Sequence, residues 1–211
     1  MDSFQELLNK KEPLRKELMK YKGELKGMPV VRHPLVYSVP HDESFNALLN
    51  KRYELIKAEC EKALAKKDYG KYIFWHERPY RLDAFMEKMN FLTDRKYWKI
   101  LGEIWVDSEN IWQNLPKWKK LLKAERSSKY LFMEGDDYKM FKTLPERITA
   151  YRGYVPNQNE NEISYTLEKE NAEWFAKRYW KKNGQIKELS VPKEKIFAYI
   201  NTRTEKEVII I

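Results

Sequence analysis

The sequence predicts an α+β protein, with a helical domain over residues 1–144 and a compact mixed β core over 145–211. Three observations lead there. Before Leu144 the apolar residues recur mostly at helical spacing. After Leu144-Pro145 the texture turns β-branched and aromatic. Within that second part, strand-like and helix-like segments follow in the order β, β, α, β, β, β, which suits a small α+β domain.

In chain order, Ser44 is expected to cap a helix reaching about Lys67, with Leu48, Leu49, Tyr53, Ile56 and Cys60 near one face. Asp68-Tyr69-Gly70 punctuates. Pro79 suits the first turn of a helix carrying Leu82, Phe85 and Met86. Thr93-Asp94 opens another helix. Trp98, Trp105 and Trp112 fall seven apart, with Trp118 beyond them. Such spacing usually marks a buried face of packed helices, and the alternative is an aromatic platform for bases.

"RITAYRGYV", residues 147–155, reads as a strand and "VPNQNENE" as a polar loop. Ile163–Thr166 is a second short strand. A helix from about Glu168 to Lys182 follows, with Ala172, Phe175, Ala176 and Tyr179 on one face and Arg178, Lys181 and Lys182 near its end, as the helix dipole favours. Asn183-Gly184 stops it. "QIKELSV", "KIFAYIN" and "EVIII" are three further strands, separated by Pro192 and "TRTE".

Composition narrows the class. An aromatic content of 14% argues against disorder, because such a chain can bury enough apolar surface to offset its ordering entropy. A net charge of +9 is compatible with nucleic acid or an anionic ligand as partner, yet lysines alternate with glutamates, so charge demands neither. Cys60 is the single cysteine, which rules out an internal disulfide and a cysteine-based zinc cluster. His33, His41 and His76 are scattered, so no metal site is expected. The start, "MDSFQELLNKKEPLRKE", has no apolar core of signal-peptide length, and no run approaches the roughly 20 residues of a membrane helix. A cytosolic location with no membrane partner is the expectation.

Three polar features stand among the apolar strands of the second part. Arg152-Gly153 sits near the end of the first strand, Ser164 and Thr166 flank Tyr165 on the second, and Glu205 and Glu207 frame Lys206 at the start of the last. An arginine at a strand end offers a planar fork for a carboxylate or a diphosphate. A serine can hold a carboxylate by a hydrogen bond. A carboxylate can bind a ribose hydroxyl and stabilise an oxocarbenium ion. Together they suit cleavage of an N-glycosidic bond, with the nicotinamide–ribose bond of NAD as the candidate. If both glutamates are extended, alternation points them the same way. Tyr165, opposite Ser164, is expected to pack into the core.

With these residues in view, "AYRGY", "ISYTLEKENAEWFA" and "TEKEVII" resemble the arginine–serine–glutamate class of mono-ADP-ribosyltransferases, the group that includes cholera toxin and the clostridial binary toxins. The likeness covers about residues 145–211. It implies that Arg152 helps hold NAD, with Gly153 and Thr166 beside it, and that Ser164 positions a catalytic Glu207. It implies that Glu205 serves transfer to arginine, and that no metal takes part. The usual Ser-Thr-Ser motif reads Ser164-Tyr165-Thr166 here. The short segment after Arg152 leaves part of the pocket to the helical part, near Tyr130 to Phe141. The wider chain, with "WVDSENIWQNLPKW" ahead of "LPERITAYRG", is similar to uncharacterised proteins of tailed bacteriophages; a phage factor of this class would act on a protein acceptor in the host cytosol. Two other functions remain open: an NAD glycohydrolase with water as acceptor, and a basic nucleic-acid-binding protein whose sheet is purely structural. Singly, each motif also has an ordinary structural role: Thr166 as a helix cap, Glu205 and Glu207 as a charged sheet edge.

Overall fold

The computed structural model of the chain describes residues 4–109, 111–178 and 183–211. They are mixed α/β, with two antiparallel sheets, and they fall into two compact units, Met1–Leu92 and Thr93–Ile211.

The first unit contains helices α1 (Phe4–Asn9) and α2 (Lys16–Met19), strands β1 (Lys22–Leu25), β2 (Met28–His33) and β3 (Val36–Ser38), then helices α3 (Asn46–Ala65), α4 (Tyr69–Phe74) and α5 (Arg81–Lys88). The three-stranded sheet, in order β1-β2-β3, lies where the sequence was expected to be helical. Its cause is local. Lys26 and Gly27 both have positive φ, 53° and 81°, and form the two-residue turn that a tight hairpin requires. Val30, Val31 and Val36 then bury their branched side chains. Helix α3 starts two residues after the expected cap. Asp42 caps a short 3-10 turn by accepting from the Ser44 amide at 2.8 Å, and Ser44 lies inside that turn. Pro79 also lies in a 3-10 turn, which leads into α5. Leu14, Leu18, Val31, Val36, Leu49 and Tyr53 form a core. Cys60 is buried, and burial pushes its thiol up to about 11.

The second unit contains helices α6 (Asp94–Asp107), α7 (Leu115–Leu122) and α8 (Gly135–Thr143), strands β4 (Arg147–Tyr154) and β5 (Ser164–Thr166), helix α9 (Lys169–Arg178), and strands β6 (Gln185–Pro192), β7 (Ile196–Ile200) and β8 (Glu207–Ile210). Strands and helix follow the expected order; Tyr179, Lys181 and Lys182 lie outside the described residues. Thr93 caps α6 by accepting from the Lys96 amide at 3.4 Å. The expected division at 144/145 falls inside this unit. Phe197 of β7 packs on Trp98 and Phe132 at ring-centroid distances of 5.8 and 5.1 Å, so helices and sheet share aromatic packing. Trp98, Trp105 and Trp118 are buried and Trp112 is exposed, which fits a packed face.

All pairings in the five-stranded sheet, order β6-β4-β5-β8-β7, are antiparallel. One row of cross-strand partners runs Tyr151, Thr166, Glu207, Ile200. Opposed residues in paired strands share a face. That row and Ser164 therefore lie on one side of the sheet. The other side carries Ile148, Ala150, Tyr165, Tyr199 and Val208, which form the core with Leu144, Val191 and Ile196.

Candidate functional site

Strand order brings the motif-bearing strands together: β5 lies between β4 and β8. Ser164 opens β5, and Glu207 opens β8 on the same face. Ser164 Oγ donates to Glu207 Oε1 at 2.5 Å, joining residues 43 apart in sequence. Glu207 is only 5% exposed. Its second oxygen, Oε2, accepts from the Trp105 indole Nε1 at 3.2 Å and lies 3.8 Å from Arg203 Nη2. Burial pushes the Glu207 carboxyl above the ordinary glutamate value. The Ser164 hydroxyl, the Arg203 charge and the Trp105 N–H pull the other way without cancelling it, and the Glu205 charge adds to the rise.

Glu205 lies in a bend ahead of β8 and not on the strand with Glu207. Thr204 and Lys206 have φ of 58° and 44°, so the chain turns sharply before β8. The two carboxylates nevertheless come within reach of one group, because Arg203 Nε lies 3.5 Å from Glu205 Oε2 while its Nη2 faces Glu207. The turn is held from several sides. Thr166 Oγ1 donates to the Glu205 carbonyl at 2.6 Å, and Asn171 Nδ2 donates to the same oxygen at 3.1 Å. The Lys206 amide donates to Asn201 Oδ1 at 3.1 Å, and Lys206 Nζ pairs with Glu168. Thr166 Oγ1 also accepts from the Glu168 amide at 3.0 Å. Buried Thr166 thus closes the turn that leads into α9 and fastens the Glu205 turn, with its hydroxyl committed to the protein; it accepts from the amide just ahead of α9 and not from one in the helix's first turn, as a cap would.

Arg152 does not join the Ser164–Glu207 face. It neighbours Tyr151, which pairs with Thr166, so alternation turns its side chain to the opposite side with Tyr165. There the guanidinium is buried and fully directed at the protein. Nη2 pairs with Glu162, Nη1 donates to the Ser164 carbonyl, and Nε donates to the Asn159 carbonyl at 3.1 Å. Burial pushes the Glu162 carboxyl up against the pull of Arg152. A free fork for a diphosphate is not what this geometry presents; Arg152 anchors the start of β5. Gly153, two residues from Tyr151, faces the Ser164–Glu207 side but is covered there by α9. A Cβ there would lie 2.0 Å from the Ala172 carbonyl oxygen, so its lack of a side chain lets α9 approach β4. Tyr165 is buried in the core, opposite Ser164.

A cleft of about 890 Å³ opens in the same unit, rimmed by Arg95, Lys96 and Lys99 of α6 and by Glu103, Asp137 and Thr202. It reaches the expected segment near Tyr130 through Leu131 to Gly135, yet none of Arg152, Ser164, Glu205 or Glu207 lines it. Ile200, on its wall, is the cross-strand partner of Glu207, so the cleft adjoins the carboxylate without containing it. The buried serine–glutamate pair is the better marker of chemistry, because a charge is seldom enclosed without a use or a partner. Among the described residues no cluster of His, Cys, Asp and Glu could hold a metal ion, and no helix is long and apolar enough to cross a membrane.

Two members of the site were not singled out from sequence. Trp105 reads as one more tryptophan of a packed face, and its N–H becomes a site donor only through the fold. Arg203 sits in "TRTEKE", where its closeness to two glutamates was a signal in plain view. No family model matches the chain, and no curated protein or solved structure matches it either.

Proposed function

We propose that the chain is a mono-ADP-ribosyltransferase, which cleaves the nicotinamide–ribose bond of NAD and transfers ADP-ribose to a guanidinium on a macromolecular acceptor. The observation that carries the reading is the 2.5 Å hydrogen bond from Ser164 to the buried Glu207, on adjacent strands in the motif order of that class. Glu207 Oε2 accepts from a ribose hydroxyl after Arg203, the half-exposed group beside it, moves aside. The carboxylate charge then stabilises the oxocarbenium-like state as nicotinamide leaves, an effect that grows where water is excluded. Ser164 and Trp105 hold that carboxylate in one orientation. Glu205 faces the acceptor and takes its proton. Arg95, Lys96 and Lys99 on the rim of the adjoining cleft, set among Glu103, Glu134 and Asp137, supply cations for the diphosphate, a task that buried Arg152 is not placed to perform.

The test is incubation of the purified chain with NAD labelled in the adenylate part, with and without a bacterial lysate. Nicotinamide release with label on discrete protein bands supports transfer. Nicotinamide release with free ADP-ribose alone makes the chain a glycohydrolase. No release, together with binding to nucleic acid that falls steeply with salt, would replace the enzyme reading by a nucleic-acid-binding one.

A further inference from the structure

The guanidinium of Arg203 occupies a particular place. Nε lies 3.5 Å from Glu205 Oε2 and Nη2 lies 3.8 Å from Glu207 Oε2, so one group spans both carboxylates. An acceptor guanidinium has to stand there: beside the carboxylate that removes its proton, and beside the one that holds the sugar carbon under attack. We propose that Arg203 is the chain's own acceptor, and that the enzyme ADP-ribosylates itself at this residue. The proposal rests on the NAD-cleaving reading above.

Three features favour this over an incidental surface ion pair. The turn that carries Arg203 is pinned by Asn201, Thr166, Asn171 and the Lys206–Glu168 pair, so the backbone keeps this side chain within reach of both carboxylates. A nucleophile held in this way reacts at a high effective concentration. Both contacts are longer than close-contact ion pairs, so the guanidinium can yield Oε2 to a ribose hydroxyl and remain beside it. The Arg203 side chain is also 40% exposed, which leaves room for an attached ADP-ribose to project outward. Lys206, the other cation of the turn, is occupied by Glu168 and does not compete.

The step balances without a further reactant. The bond between ribose C1′ and the nicotinamide nitrogen breaks, and its electron pair leaves with nicotinamide. A guanidinium nitrogen of Arg203 donates a pair to C1′ and forms the new N-glycosidic bond. The proton lost from that nitrogen passes to the Glu205 carboxylate and then to water. Nothing is oxidised or reduced.

The test uses the full chain alone with labelled NAD, following nicotinamide release and mapping modified peptides by mass spectrometry. The expected result is release of nicotinamide with one ADP-ribose on Arg203. The labelled fraction should grow at a rate independent of protein concentration, as an intramolecular step requires. Arg203→Lys should lose that label, while Arg147→Lys, at an exposed arginine elsewhere in the unit, should keep it. Nicotinamide release with no label on Arg203, or labelling that speeds up with protein concentration, overturns self-modification and leaves NAD cleavage standing. No nicotinamide release from the wild-type chain overturns both.

Discussion

Replacing Ser164 by alanine separates a positioning role from a merely structural one. The substitution removes the O–H that donates to Glu207 Oε1 at 2.5 Å and leaves the rest of the carboxylate's surroundings in place. A hydrogen bond to a charged group contributes roughly 1.5–3 kcal/mol. At about 1.36 kcal/mol per tenfold in rate, turnover should fall about tenfold to a hundredfold if the bond acts in the transition state. The serine hydroxyl also favours the ionised carboxylate, so its loss moves the already raised Glu207 further up. The rising limb of the pH–rate profile should therefore shift to higher pH, with KM for NAD little changed. Nicotinamide release from pH 4 to 9, on wild type and Ser164→Ala, provides the readout, with melting temperature measured alongside. An unshifted limb, with activity falling only in step with stability, would mean that Ser164 merely holds the strands together. Unchanged turnover would remove it from the mechanism.

Glu207→Gln keeps the size and removes the charge; loss of a preorganised electrostatic partner costs about 2.7–4 kcal/mol of barrier, so nicotinamide release should fall about a hundredfold or more. Because the folded-state Glu207 titrates above its ordinary value of 4.5, the wild type loses stability relative to the variant as pH rises from 4.5 through that raised value. Thermal unfolding should therefore show Glu207→Gln at no disadvantage near pH 7 and the difference shrinking below 4.5. Trp105→Phe removes only the indole donor to Oε2 while keeping an aromatic ring against Trp118, and should lower turnover about tenfold and shift the pH limb upward. Arg152→Lys loses the carbonyl contacts at Asn159 and Ser164, and should cost about 2 kcal/mol or more in denaturant unfolding, with NAD affinity per folded molecule unchanged; weaker binding to the folded fraction would restore Arg152 to the ligand site. Gly153→Ala brings a Cβ 2.0 Å from the Ala172 carbonyl oxygen, so α9 must shift and about 1–3 kcal/mol of stability should be lost; an unchanged unfolding curve would refute that packing.

What the sequence determined by itself lies mainly beyond residue 145. Strand periodicity, the Asn183-Gly184 stop and Pro192 mark the order of elements there, because these are local signals with local causes. That Ser164 meets Glu207 was expected only from the resemblance of the motifs; the contact itself is made by the pairing of β5 with β8. The hairpin at Lys26-Gly27 was written in the same local code, and the helical reading of residues 1–144 passed over it. The rest belongs to the tertiary structure. Which face receives Arg152 depends on the register Tyr151 to Thr166, and a slip of one residue would have turned it toward Glu207. Trp105 lies 102 residues before Glu207, and no periodicity in either segment says that an indole N–H will meet that carboxylate. The same holds for the grouping of helices and sheet, which follows from long-range aromatic packing such as that of Phe197 on Trp98 and Phe132. Local chemistry decides what each segment becomes; long-range packing decides which side chains share a dry enclosure, and that enclosure is the main cause of the raised Glu207 carboxyl.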